Sequence, residues 1–61
     1  MKSILIADDS MFMRQMLKEL LPRDKFFVIG EASTGKEAYE KYTQLKPDIV
    51  TMDITMQIWM E

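Results

Sequence analysis

Sixty-one residues carrying 48% hydrophobic content form one small domain at most, too apolar for a disordered chain and too short to leave much margin over conformational entropy. Ten acidic and eight basic residues leave a net charge of −2 with no basic run, which argues against a nucleic-acid partner. Cysteine and histidine are absent, so disulfides, thiol chemistry and the usual zinc ligands are excluded, and no apolar stretch approaches the roughly 20 residues that cross a membrane.

The first element is a strand over Ser3 to Ala7, a nearly continuous apolar run closed by acids, as suits a parallel strand covered on both faces. Ser10 then caps a helix whose Met13, Met16, Leu17, Leu20 and Leu21 predict a single buried stripe, with Arg14, Gln15, Lys18 and Glu19 on the other face. Pro22 ends it. Phe26 to Ala32 is aromatic and β-branched and reads as a second strand. Thr34 and Glu37 have capping-box spacing, and the helix they open has Ala38, Tyr42 and Leu45 as its apolar face and Lys36, Glu40, Lys41 and Gln44 toward water. Lys46-Pro47 stops this helix, and Asp48 to Asp53 supplies a third strand. The order is βαβαβ, which specifies an α/β fold with a three-stranded parallel sheet of order 2-1-3 and helices packed on it.

Asp8 and Asp9 close the first strand and Asp53 closes the third. In open parallel sheets, sites lie beyond the carboxyl ends of the strands where the winding reverses. Neighbouring strands stand about 4.8 Å apart, so the three carboxylates would share one small space. Like charges brought together raise at least one pKa unless a cation compensates. Magnesium is the fitting ion, being hard, partial to carboxylate oxygen and apt to join carboxylates to phosphate. A plainer reading stands beside this one: aspartates at strand ends form turns, and Asp9 or Ser10 caps the helix that follows.

The segments Ile4-Leu5-Ile6-Ala7-Asp8-Asp9-Ser10 and Pro47-Asp48-Ile49-Val50-Thr51-Met52-Asp53-Ile54-Thr55-Met56 resemble the first and third strands of CheY-like response-regulator receiver domains. Gly30-Glu31-Ala32-Ser33-Thr34-Gly35-Lys36-Glu37-Ala38 resembles the family's second strand and the start of its second helix. The resemblance covers residues 2 to 56 and implies a flavodoxin-like fold, a cytoplasmic chemotaxis-type protein, a histidine kinase and a downstream target as partners, and a phosphoryl acceptor that is not itself an enzyme. Carried over by position, it implies that Asp53 accepts the phosphoryl group, that Asp8, Asp9 and Asp53 hold Mg2+, and that the backbone carbonyl of Thr55 completes the metal site.

Family members continue into a fourth strand bearing a hydroxyl residue and a fifth bearing a lysine, so the chain reads as a truncated receiver over residues 1–61, a half domain. Residues 57–61 form an altered tail, because Gln57-Ile58-Trp59-Met60-Glu61 stands where the family has a proline and a turn-forming glycine. A half sheet leaves a strand edge and apolar surface uncovered, which favours completion by a homodimer or higher self-association. Two functions follow as expectations: a self-associating half-fold without a working switch, preferred for this chain, and a residual magnesium-dependent aspartyl-phosphate acceptor. A flavin-binding module is disfavoured, since the loop after the first strand is acidic and would repel phosphate.

Overall fold

Strand β1 (Lys2–Ala7) is the axis of the molecule in a computed structural model that describes residues 1–52. Its Ile4, Leu5, Ile6 and Ala7 are buried to 2% exposure or less, each large side chain contributing about 1.5–3 kcal/mol by leaving water. The strand is also paired along both edges. β1 pairs in parallel with β2 (Phe26–Ala32) on one side and with β3 (Ile49–Met52) on the other, giving the order β2-β1-β3 that the sequence predicts. The β1–β2 register shifts between Ile4 and Leu5, so that Ile29 is an extra residue bulged out of β2.

Both helix starts follow the predicted chemistry. Helix α1 (Met11–Leu20) is capped by Ser10, whose Oγ accepts the Met13 N–H at 3.3 Å, and it ends at Leu21, whose N–H reaches the Leu17 carbonyl just before Pro22. Helix α2 (Gly35–Leu45) is capped by Thr34, whose Oγ1 accepts the Glu37 N–H at 3.1 Å. The reciprocal half of the box differs by one residue: the Glu37 carboxylate reaches back to the Ser33 N–H at 2.7 Å and the Ser33 hydroxyl at 3.2 Å. The Ser33 N–H foremost, then its hydroxyl and the Lys41 ammonium, hold the Glu37 carboxyl below its ordinary pKa. Lys46 takes a left-handed backbone with φ 48°, turning its N–H onto the Tyr42 carbonyl, and Pro47 prevents any continuation.

The helix faces depart from the predicted stripes. None of the α1 side chains is buried: Phe12 and Leu20 are 70% exposed, and Met13 and Met16 are exposed as well. Of the predicted stripe, Leu17 and the capping Leu21 lie on the covered side, where Arg14 and Lys18 join them. On that side Arg14 and Lys18 reach an acid on β2. On α2 only Ala38 is buried, joining Ala7 and Ala32 in a small-residue cluster, while Tyr42 is 51% exposed. The sheet-facing line runs through Ala38, Lys41 and Leu45. A β-carbon built on Gly30 would lie 2.9 Å from Leu45 Cδ1 and 3.4 Å from Leu5 Cδ1, so glycine is what lets α2 approach β2 this closely. No helix among the described residues is long and apolar enough to cross a membrane.

Candidate metal centre

Asp8 leaves the carboxyl end of β1 at 5% exposure, and three hydrogen bonds define its position. Its N–H donates to the Ala32 carbonyl of β2 at 2.9 Å, which extends the sheet by one residue. The carboxylate Oδ1 accepts the Ser10 N–H at 2.9 Å, the local turn typical of aspartate before a helix. The carbonyl accepts from Arg14 Nη1 at 2.5 Å. Asp9, one residue on, is exposed. The turn-forming role weighed for the acids at this strand end is therefore real for Asp8, and Ser10 is the residue that caps the helix.

The register of β1 on β3 sets Ala7 opposite Met52, the residues that immediately precede Asp8 and Asp53 in the chain. The strand adjacency on which the acidic site depends is thus present. Asp53 and Thr55 lie outside the described residues, as does the tail over residues 57–61. Among the described residues no group of three or more metal-ligating side chains is assembled. Beside Asp8, a cavity of about 300 Å³ is lined by Ala7, Asp8, Met13, Leu17, Thr51 and Met52. The buried Thr51 hydroxyl there has no hydrogen-bond partner among the described residues. The donor set suits a small hard cation: oxygen ligands only, one acid fixed by its turn and one open to water that such an ion retains.

The charged frame around the site is not in the predicted pattern. Glu31, an acid inside β2, receives Lys18 Nζ at 2.8 Å and Arg14 Nε at 3.1 Å, and Lys41 Nζ donates to its backbone carbonyl. Arg14, Lys18 and Lys41, expected to face water, converge on one strand residue from both helices. The Lys18 hydrogen bond first, with Arg14 adding to it, holds the Glu31 carboxyl below its ordinary pKa against the opposing effect of burial. One signal for this was available: an acid within a strand needs partners, and Arg14 and Lys18 are spaced to share a helix face.

A second polar device ties the far ends of β1 and β3. Asp48 Oδ2 accepts the Ser3 N–H at 2.8 Å and the Ser3 hydroxyl at 3.1 Å, while the Asp48 N–H reaches Ser3 Oγ at 2.9 Å. Ser3 is thereby satisfied although it is buried. The Ser3 N–H, then its hydroxyl, hold the Asp48 carboxyl below its ordinary pKa.

With this geometry in hand, comparison with known proteins is specific. The family model described as the response regulator receiver domain matches residues 4–60. The chain is 60% identical over 55 residues to the chemotaxis protein CheY of Thermotoga maritima, covering 90% of this chain and 46% of that protein. It is 55% identical over 53 residues to the chemotaxis protein CheY of Bacillus subtilis, covering 87% and 44%. The crystal structure of the response regulator domain of Thermotoga maritima CheB superposes with a TM-score of 0.83 at 47% identity, over 90% of this chain and 42% of that one. The chain spans about half the length of the curated relatives it matches.

Proposed function

Because the chain belongs to the response regulator receiver domain family, we propose that it supplies the acid-bearing end of a chemotaxis-type phosphorelay receiver in the cytoplasm. Asp53 accepts a phosphoryl group from a histidine kinase, and Asp8, Asp9, Asp53 and the backbone carbonyl of Thr55 hold magnesium. The observation that carries this reading is the alignment of Ala7 with Met52, which levels the two strand ends that lead into these acids. Magnesium, when bound, offsets the repulsion between carboxylates and an anionic phosphoryl donor. A carboxylate oxygen of Asp53 bonds to phosphorus as the bond from phosphorus to the donor's histidine nitrogen breaks. Asp8, fixed through its carbonyl, N–H and Oδ1, presents its remaining oxygen without reorganisation.

Millimolar magnesium is expected to raise the thermal midpoint and change Trp59 fluorescence in the parent, and to do neither in Asp53→Asn. An identical response in both proteins removes Asp53 from the site. A response in neither removes the site.

Self-association is a second proposal, favoured by the apolar arc Phe12, Met16 and Leu20 that α1 turns away from the sheet. β3 is also paired on one side only among the described residues. A homodimer covers such surface and keeps the fold without the switch. Sedimentation over a concentration series is expected to show mass rising toward a dimer, and the Phe12→Lys, Leu20→Lys double variant to shift it toward monomer. A folded monomer at every concentration rejects this proposal.

A further inference from the structure

We propose that Arg14 is a positioning residue for the acidic pair, setting the plane of the Asp8–Asp9 peptide and hence the direction in which Asp9 leaves the strand end. This rests on the magnesium reading above. The Arg14 side chain is only 14% exposed and spans two anchors, Nη1 on the Asp8 carbonyl at 2.5 Å and Nε on Glu31 Oε1 at 3.1 Å. A guanidinium is planar, so two anchors fix its orientation, and the fixed Nη1–H dictates where the accepting carbonyl points. That carbonyl belongs to the peptide joining the two acids. Its opposite edge is the Asp9 N–H, and the torsion that follows sends out the Asp9 carboxylate.

On the other side, Asp8 Oδ1 is held by the Ser10 N–H. The pair is therefore clamped from the helix at Ser10 and at Arg14, with Glu31 and Lys18 behind Arg14 holding it in place. Lysine has a point charge and cannot make the same two-anchor span.

Charge and position predict opposite signs. A cation near two carboxylates opposes binding of a second cation, so if Arg14 acted through charge alone, Arg14→Ala would tighten magnesium and Arg14→Lys would change nothing. A positioning role requires both variants to weaken it, by about tenfold, as for outer-shell partners of metal ligands generally. Asp48→Asn, which loosens the far ends of β1 and β3 without touching Asp8, Arg14 or Glu31, serves as the control for stability.

The test measures magnesium affinity by calorimetry, and the Asp8 carbonyl carbon-13 shift with the Asp9 amide exchange rate in metal-free protein. In Arg14→Lys and Arg14→Ala we expect a displaced carbonyl shift, faster Asp9 exchange and weaker magnesium, with Asp48→Asn like the parent in all three. Parent-like shift and affinity in Arg14→Lys, tighter binding in Arg14→Ala, or equal weakening in Asp48→Asn overturns the proposal. If the parent itself binds no magnesium, the metal reading falls and the metal-free shift and exchange still decide the role of Arg14.

Discussion

Ile6→Ala is expected to leave the chain largely unfolded at room temperature, whereas Ile6→Val stays folded with a lowered midpoint. Ile6 has no exposed surface and lies one residue before the end of β1, opposite Glu31 of β2 and Thr51 of β3. Truncating a buried isoleucine to alanine costs about 2–5 kcal/mol, and to valine about 0.5–1.5 kcal/mol. At roughly 0.05–0.15 kcal/mol per residue, a chain of this length has only about 3–9 kcal/mol in total. Among the described residues the core has little reserve, because its large fully buried side chains are Ile4, Leu5 and Ile6, consecutive on one strand, and α1 adds no buried side chain. Circular dichroism with urea titration measures this. A midpoint in Ile6→Ala equal to that of the parent would show that β1 is not the axis of stability.

Acid is expected to unfold the chain through three identified carboxylates. Glu31, Glu37 and Asp48 each titrate below their ordinary values in the folded protein, held there chiefly by Lys18, by the Ser33 N–H and by the Ser3 N–H respectively. A carboxylate whose folded pKa is depressed binds fewer protons folded than unfolded, so its contribution is complete above the unfolded value and declines as pH falls toward the folded one. The thermal midpoint should therefore be flat near neutrality and drop below about pH 4, where unfolded carboxylates begin to protonate. Asp48→Asn should be less stable at neutral pH and show a shallower acid slope. Raised salt should weaken the contribution of Glu31, whose partners are charged, more than that of Asp48, whose partners are the hydrogen bonds of Ser3. An unchanged acid slope in Asp48→Asn would sink the assignment of the β1–β3 tie as a pH-dependent element.

What local pattern encodes was legible from the sequence. The apolar run before Asp8, the Ser10 and Thr34 caps, the stops at Pro22 and Pro47, and the alternation that forces a parallel sheet all act within a few residues, so each could be read directly. The neighbouring placement of β1 and β3, which the acidic site requires, followed from connection rules and is present in the structure. The covered face of α1, the exposure of Met13, Met16, Leu20 and Tyr42, and the convergence of Arg14, Lys18 and Lys41 on Glu31 were decided only by tertiary structure. The Ser3–Asp48 tie, between residues 45 positions apart, belongs with them. Periodicity says which residues share a helix face, but not which face wins the sheet. Here the inward face carries the donors for a strand acid and a strand-end carbonyl, pairings that exist only once distant segments meet.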